Sequence, residues 1–293
     1  MPTAGKKKKK KTAKRAAARV DPALAIRSDR VAGILASFLE EESRRARRRC
    51  LVVGISGGLD SAVAATLASQ AVGPDNVLGV FLPYRLSSPE SLQDGRRIAA
   101  KLGIRSEEID ITPMVDAYFA SRPRASKNRR GNKLARERMS VLYDLSEAHG
   151  GLVVGTSNKT ELLLGYGTLH GDLASALNPL GDLYKTQVRQ LAAHLKVPQP
   201  IIQKPPSADL WPGQTDEADL GFAYADVDRL LHLMVDRRAP EAELLAAKFD
   251  RRTVRRVREM IRKSQFKRRP PLIAKASLRT IGIDFRYPRD WGT

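Results

Sequence analysis

Short apolar runs alternate with longer amphipathic stretches from residue 21 onward. Four runs rich in Val, Leu and Ile predict strands, at residues 51–55, 77–82, 104–109 and 152–155. Apolar residues at helical spacing predict helices at 60–71, 89–102 and 134–149, and an earlier one from Asp21-Pro22 to about Arg48. This alternation predicts an α/β fold with a doubly wound parallel sheet flanked by helices.

Three of the predicted strands are followed by polar or turn-forming residues, at 56–61, 83–85 and 156–158. In a parallel doubly wound sheet, ligands bind beyond the carboxyl ends of the strands. We therefore expect these three stretches to meet at one edge of the sheet and to form a binding site there.

Two longer segments, 120–133 and 204–219, have the composition of surface loops, with Arg, Ser, Asn and Gly in the first and several Pro in the second. Loops of this length inside a compact domain are often functional lids. Because a tryptophan is costly to leave in water, Trp211 is expected to pack onto a ligand, a partner or the body of the protein.

The hexapeptide Ser56-Gly57-Gly58-Leu59-Asp60-Ser61 links the first predicted strand to the next helix. Its glycines permit a sharp turn that brings backbone N–H groups close to an anion, and the amino end of the helix faces the same point. A carboxylate beside phosphates would repel them unless a divalent cation lay between, so Asp60 is a candidate Mg²⁺ ligand. The sequence predicts a phosphate-binding loop; the alternative is a turn that binds nothing.

This hexapeptide resembles the PP-loop, S-G-G-x-D-S, of the ATP pyrophosphatases. It lacks the Gly-Lys-Ser/Thr ending of the P-loop, which argues against the γ-phosphate site of kinases and GTPases. The resemblance implies cleavage of ATP between the α and β phosphates and an adenine nucleotide α-hydrolase-like fold.

The chain has 293 residues, of which 42% are hydrophobic, enough to bury the core of one large domain, expected over residues 21–293. No apolar stretch approaches the roughly 20 residues that span a bilayer, and no signal peptide is recognised. Cys50 is the only cysteine, which excludes a disulfide framework and relayed sulfur transfer, and it is expected to be a core residue. A cytoplasmic location is the default expectation.

The formal net charge of +20 first suggests a nucleic-acid partner. Nine of the positive charges lie in residues 1–20, which contain no acid, so the rest of the chain carries a net +11. This Lys-rich tail has no apolar face to bury and is expected to be disordered. We expect it to make only nonspecific contacts with polyanions.

Three later segments complete a specific pattern: G-T-S-N-K-T-E at 155–161, N-P-L-G-D-L-Y-K-T-Q-V at 178–188 and K-P-P-S-A-D-L-W at 204–211. Together with the hexapeptide, their order and spacing resemble the short, ammonia-dependent NAD synthetases over roughly residues 24–291. The resemblance implies that ATP adenylylates the nicotinate carboxylate of deamido-NAD and releases pyrophosphate. Ammonia then displaces AMP and leaves the amide of NAD.

The resemblance assigns roles to individual residues of this chain. Lys185 would place a positive charge at the departing pyrophosphate, Asp60 and Glu161 would hold Mg²⁺, and Asp172 would orient or deprotonate the incoming ammonium. The positions that match the family's ATP site are Gly54, Ile55, Ser56, Gly57, Gly58, Leu59, Asp60, Ser61, Thr156, Lys185 and Ser207.

For deamido-NAD, the resemblance implies contacts from Arg136, Phe266 and Lys267. Phe266 stands where many members have His, and Leu169 and Ala176 stand where many have Lys and Asp. These differences from the family pattern leave the ATP site intact. They predict a subfamily that binds its acceptor through different contacts. Without the resemblance, Arg136 and Arg138 are equally typical of a solvated helix face, and the basic run to Arg269, which contains Lys267, is more typical of a charged C-terminal helix.

The resemblance also implies a homodimer with the dinucleotide site across the interface. Neither the length nor a suitably placed cysteine fits the amidase domain of the glutamine-using members. We therefore expect the nitrogen donor to be free ammonia, or ammonia from a separate glutaminase.

Two alternatives remain open at this stage. A PP-loop enzyme that modifies tRNA would use the basic tail to hold the phosphate backbone, but segments 178–188 and 204–219 match the synthetase. A nucleotide-binding protein that has lost turnover would explain Leu169 and Ala176, but Asp60, Glu161 and Lys185 are retained.

Overall fold

The computed structural model describes residues 21–211 and 213–285. The Lys-rich segment 1–20, expected to be disordered, lies outside the described residues. Within them the strands are β1 Cys50–Gly54, β2 Val77–Phe81, β3 Arg105–Glu108 and β4 Gly151–Val154. The helices are α1 Ser28–Arg45, α2 Leu59–Val72, α3 Pro89–Leu102, α4 Thr112–Ala120, α5 Lys127–Ala148, α6 Lys159–Leu164, α7 Lys185–His194, α8 Gln199–Gln203, α9 Asp216–Leu220, α10 Tyr224–Leu231, α11 Glu241–Ala246 and α12 Arg251–Lys263.

The four strands form one parallel sheet in the order β3-β2-β1-β4. From β1 the chain builds outward through β2 and β3 on one side, and then returns to place β4 on the other side. This reversal opens a crevice between the carboxyl ends of β1 and β4, the place where such sheets bind ligands. The predicted doubly wound parallel sheet is confirmed.

Strands β1, β2 and β4 are buried on both faces, as expected for parallel strands covered by helices, whereas the edge strand β3 is largely exposed. Along β1, Leu51 and Val53 belong to the apolar cluster formed with α1, α2 and α7. Cys50 and Val52 point to the opposite cluster, formed with α4 and α5. The prediction that Cys50 is a core residue is confirmed, since its side chain is buried.

A third apolar cluster lies beyond the sheet and packs the C-terminal helices against the rest of the protein. It joins α10 and α12 through Tyr224, Leu230 and Val257 to Tyr184, which immediately precedes α7. The sequence patterns did not predict this cluster. It matters for function because it anchors the beginning of α7, which carries Lys185.

Two element boundaries differ from the predictions. Residues Pro22–Leu24 form a separate 3₁₀ turn capped by the Asp21 carboxylate, so the first helix begins later, at Ser28. The surface loop predicted over 120–133 is wrong from Lys127 onward, because the Ser126 hydroxyl caps the first turn of α5 there. The segment 204–219 is a loop as far as α9, and Trp211 lies against α5 at Gly131.

No helix in residues 21–211 and 213–285 is both long and apolar enough to cross a membrane.

Helix α2 generates a stability prediction, because its alanines are packed on all sides between the sheet and neighbouring helices. Ala64 is fully buried, whereas Ala100 on α3 is exposed. Adding a leucine side chain at Ala64 would overpack the core. We expect Ala64→Leu to lower the free energy of unfolding by about 1–3 kcal/mol, measured by urea titration. Ala100→Leu is the control and should change it by less than about 0.5 kcal/mol; equal effects would contradict this packing.

Candidate active site

A cleft of about 760 Å³ opens at the crevice between β1 and β4. Its walls come from the hexapeptide 56–61, the strand-to-helix turn 155–161, the start of α7 and the segment 204–219. The expectation that polar stretches after the strands meet at one edge of the sheet is confirmed for 56–61 and 156–158, whereas only Pro83 of the stretch 83–85 lines the cleft. The cleft is large enough to hold a nucleotide.

The hexapeptide turns sharply between β1 and α2. Gly57 has a φ of +76°, and a Cβ atom there would lie 1.9 Å from the Ser91 carbonyl oxygen. Only glycine fits such a backbone. Gly57 thus presses the loop against α3 and does not itself line the cleft, unlike the other residues predicted to bind ATP.

The hydroxyls of the loop hold its shape. The Ser56 and Ser61 Oγ atoms are 3.1 Å apart, and the Ser61 hydroxyl also donates to the Gly58 carbonyl at 3.1 Å. Gly58 is the N-cap of α2 and offers no side-chain acceptor to the N–H groups of the first turn. An open helix amino end of this kind is a ready anion site.

Ile55 directly precedes this loop and Leu59 lies within it, and the side chains of both are buried in the core. They line the cleft, so what they can offer a nucleotide is backbone. They were assigned to the ATP site by the match of their positions to the family. Because their side chains are buried, only their backbone groups can contact ATP.

Three ionisable side chains from distant parts of the chain meet at the floor of the cleft. The Lys185 ammonium forms ion pairs with the carboxylates of Asp60 and Glu161, the latter at 3.2 Å. Lys185 is only 3% exposed, and the two carboxylates are 16% and 14% exposed. The Asn158 amide donates to Asp60 Oδ1 at 3.1 Å. We call Asp60, Glu161 and Lys185 the ion cluster.

Local structure sets the position of Glu161. Asn158 is the N-cap of α6, its side chain accepts from the Glu161 N–H at 3.0 Å, and the Glu161 carboxylate accepts from the Asn158 N–H at 3.3 Å. This reciprocal capping box fixes one oxygen of Glu161 and leaves the other facing Lys185. The N-x-x-E spacing at 158–161 is the signal from which Asn158 could have been predicted as a site residue.

Burial and charge act in opposite directions within the ion cluster. For Glu161, burial raises the pKa above its usual range, and the attraction of Lys185 only partly offsets that rise. For Lys185, burial alone would lower the pKa, but the carboxylates of Asp60 and Glu161 more than compensate and raise it. Lys185 is therefore a fixed positive charge at neutral pH.

A third carboxylate lies next to the ion cluster and comes from the segment 204–219. Asp216 accepts hydrogen bonds from the hydroxyls of Tyr166 at 3.0 Å and Tyr224 at 3.1 Å. The Lys185 ammonium lies 5.1 Å from the centre of the Tyr224 ring, within cation–π range. No local sequence signal links these residues, because their proximity depends on the packing of α10.

The remaining residues predicted in the ATP site and at the amide-forming step line the same cleft: Thr156, Ser207 and Asp172. Asp172 is exposed to solvent, and its Oδ1 accepts the Thr168 N–H at 2.7 Å. The Asp172 carboxylate is therefore oriented by a hydrogen bond and is also accessible to small molecules that enter the cleft.

Of the three residues predicted to bind the acceptor, one lies in the cleft and two lie outside it. Lys267 lines the cleft, where its ammonium donates to the carbonyls of Gly165 at 2.8 Å and Gly167 at 2.7 Å. Arg136 lies outside it, in a smaller depression of about 170 Å³, and donates to the Leu169 carbonyl at 3.1 Å. Phe266 is 60% exposed and also lies outside the cleft. Of the three residues predicted to bind the acceptor, a single chain thus brings only Lys267 into the cleft.

The contact between Gly57 and Ser91 makes the loop sensitive to one methyl group. We expect Gly57→Ala to destabilise the fold by about 1–3 kcal/mol and to weaken ATP binding at least about tenfold, measured by urea unfolding and calorimetry. Gly58→Ala is the matched control, because Gly58 has a φ of −90° and its added Cβ would meet only the Ser56 hydroxyl, at 3.3 Å. Equal losses in both variants would contradict the assigned geometry.

The sequence model of the NAD synthase family matches residues 31–271. The chain is 56% identical over 269 residues to the NH(3)-dependent NAD(+) synthetase of Trichlorobacter lovleyi, covering 92% of this chain and 98% of that protein. It is 55% identical to the corresponding synthetase of Chlorobaculum tepidum, covering 89% and 94%.

Two solved structures share the fold. The NMN synthetase of Francisella tularensis aligns with a TM-score of 0.77 at 31% identity, covering 85% of this chain and 99% of that one. The NH3-dependent NAD synthetase of Campylobacter jejuni, in complex with the nitrate ion, aligns with a TM-score of 0.74 at 33% identity, covering 86% and 100%. On the match over most of its length, the chain belongs to the NAD synthase family.

Proposed function

We propose that this protein amidates deamido-NAD with ammonia, using ATP and releasing AMP and pyrophosphate through an adenylated carboxylate. The observation that carries the proposal is the meeting of the hexapeptide and the ion cluster in one cleft. The NAD synthase family uses ATP as co-substrate, and the relatives are named NH(3)-dependent NAD(+) synthetases.

The reaction poses an electrostatic problem that this cleft is suited to solve. A carboxylate must approach the α-phosphate although both are anions, and negative charge then builds on the departing pyrophosphate. The open amino end of α2 and the hydroxyls of Ser56 and Ser61 would bind phosphate oxygens. Lys185 would donate to the oxygen that gains charge, because its buried ammonium pairs with Asp60 in the first turn of α2, where the loop ends.

The ion cluster also fits a magnesium ion held jointly with a nucleotide. Mg²⁺ prefers oxygen ligands and is commonly bound by one or two carboxylates together with substrate phosphates and water. Asp60 and Glu161 supply two such carboxylates. When bound, Mg²⁺ would supply positive charge at the phosphate oxygens.

In the second half of the reaction, ammonia attacks the activated carbonyl and AMP leaves. The attacking nitrogen must lose protons, so a proton acceptor near the acceptor end would assist this step. Asp172 is exposed in the cleft and oriented by the Thr168 N–H, and it would accept a proton from ammonium. Lys267, anchored on the neighbouring carbonyls, would attract the carboxylate or phosphates of the acceptor.

We further propose a homodimer in the cytoplasm. Arg136 and Phe266 lie outside the nucleotide cleft of a single chain, so a dinucleotide that uses them would have to extend beyond it. A second copy that covers this region would complete the acceptor site. Ammonia would enter from solution or from a separate glutaminase.

The test is a product assay with ATP and Mg²⁺, in which AMP, pyrophosphate and the amidated product are measured. We expect NAD, with equimolar AMP, from deamido-NAD and ammonium, and little product when glutamine replaces ammonium. Nicotinate mononucleotide is the second acceptor to assay, because one related structure is that of an NMN synthetase. Turnover only with that acceptor, or ATP cleavage only with tRNA, would contradict the proposal.

Removing one carboxylate of the ion cluster tests its role. We expect Asp60→Asn to reduce pyrophosphate release about 100-fold or more, since it removes a cation ligand and leaves Lys185 with one partner fewer. Circular dichroism should show an intact fold. Asp75→Asn, at an exposed position far from the cleft, is the control and should retain full activity. Near-normal turnover of Asp60→Asn would overturn the assignment.

A further inference from the structure

Asp228 is a buried carboxylate outside the cleft that no part of the mechanism above uses. It lies on α10, and its residue exposure is 0%. Both carboxylate oxygens accept hydrogen bonds: Oδ1 from the Thr160 hydroxyl at 2.5 Å, and Oδ2 from the Thr186 N–H at 2.8 Å. Burying a carboxylate costs free energy unless it is hydrogen-bonded. The hydrogen bonds that Asp228 accepts from two other helices therefore indicate a structural role.

Thr160 extends this contact to a third group. While its hydroxyl donates to Asp228, its oxygen accepts the backbone N–H of Lys185 at 3.1 Å. Thr160 is itself 0% exposed and directly precedes Glu161 in the first turn of α6. The chain of bonds therefore runs from α6 to α10 and into the beginning of α7.

The start of α7 depends on these two partners. Tyr184 is the N-cap, but its hydroxyl donates to Asp236 at 3.0 Å, away from the helix backbone. The N–H groups of Lys185 and Thr186, which have no acceptor within the helix, are satisfied instead by Thr160 and Asp228. A negative charge at a helix amino end is favourable, so Asp228 also offsets the lysine charge placed there.

We propose that Asp228 and Thr160 are positioning residues that fix Lys185 relative to Glu161 for pyrophosphate departure. Asp228 holds the first turn of α7 directly, and Thr160 ties that turn to the residue beside Glu161. Neither side chain reaches the cleft, so neither touches ATP. Their effect acts through the placement of the Lys185 ammonium, for which a shift of about 1 Å is enough to slow a reaction substantially.

This inference rests on the proposed function, and the test separates the two. Wild-type protein must first release pyrophosphate with deamido-NAD and ammonium; failure there counts against the function. Given wild-type turnover, Thr160→Val keeps the shape of the side chain but removes both hydrogen bonds, whereas Thr160→Ser keeps the hydroxyl. We expect Thr160→Val to lower kcat for pyrophosphate release at least about tenfold, with the dissociation constant for ATP changed less than about threefold.

Thr160→Ser should recover most of that kcat, because the hydroxyl bridge is restored. Thr66→Val is the control for loss of a buried hydroxyl, since Thr66 is buried in α2 and donates only to the Ala62 carbonyl. It should change thermal stability without changing kcat per ATP-binding site. Counting active sites by ATP-binding stoichiometry removes any contribution from unfolded protein.

The variant Asp228→Asn tests the other residue of the proposed pair. If both residues act through one bridge, the double variant Thr160→Val/Asp228→Asn should lose about as much kcat as the more severe single variant. Multiplicative losses would overturn the single bridge between the two residues. Equal kcat for Thr160→Val and Thr160→Ser would overturn the proposal as a whole and leave the two residues with only a role in folding. If Asp228→Asn does not fold, the comparison of kcat between Thr160→Val and Thr160→Ser tests the proposal by itself.

Discussion

The structure depends on one constraint: Asp60, Glu161 and Lys185 are buried at the same point and must stay together. A single charge in such a place would be strongly unfavourable, and removing one partner of a buried pair commonly costs about 3–5 kcal/mol. Because these side chains come from α2, α6 and α7, the constraint fixes how three helices begin. The placement of these charges is therefore tied to how the three helices pack around the cleft.

Lysine at the first position of a helix is an unfavourable choice by itself. The amino end of a helix carries a partial positive charge, so an ammonium there is repelled. In this protein two carboxylates at the cleft and the Asp228 carboxylate beneath the helix offset that repulsion. Local rules of sequence are broken in this way chiefly at functional sites, which supports a role for Lys185 in charge neutralisation.

Sequence reasoning succeeded where the information is local. The hexapeptide is contiguous and follows a buried strand, so both its turn and its place at the sheet edge could be predicted. The capping box of Asn158 and Glu161 is also local and could have been read from its spacing. The match of segments 178–188 and 204–211 to a known family then brought Lys185 and Ser207 to the same site.

Other features could not be predicted because they depend on tertiary packing. Asp216 lies next to the ion cluster and Asp228 lies beneath the start of α7 only when the C-terminal helices pack against Tyr184, and no spacing in the sequence relates them to Glu161. The beginning of α5 was misread as a loop because its first turns are polar, and polar composition is shared by loops and exposed helices. Arg136 and Phe266 were assigned by resemblance, and the fold of one chain does not bring them into the cleft.

The central claim is that ATP is attacked at its α-phosphate by the carboxylate of the acceptor. Isotope transfer tests this most directly. Deamido-NAD labelled with ¹⁸O in the nicotinate carboxylate is converted with unlabelled ATP and ammonium, and the products are analysed by mass spectrometry. The account predicts one ¹⁸O atom in each AMP formed and none in pyrophosphate. Unlabelled AMP, or label in inorganic phosphate or pyrophosphate, would contradict activation at the α-phosphate.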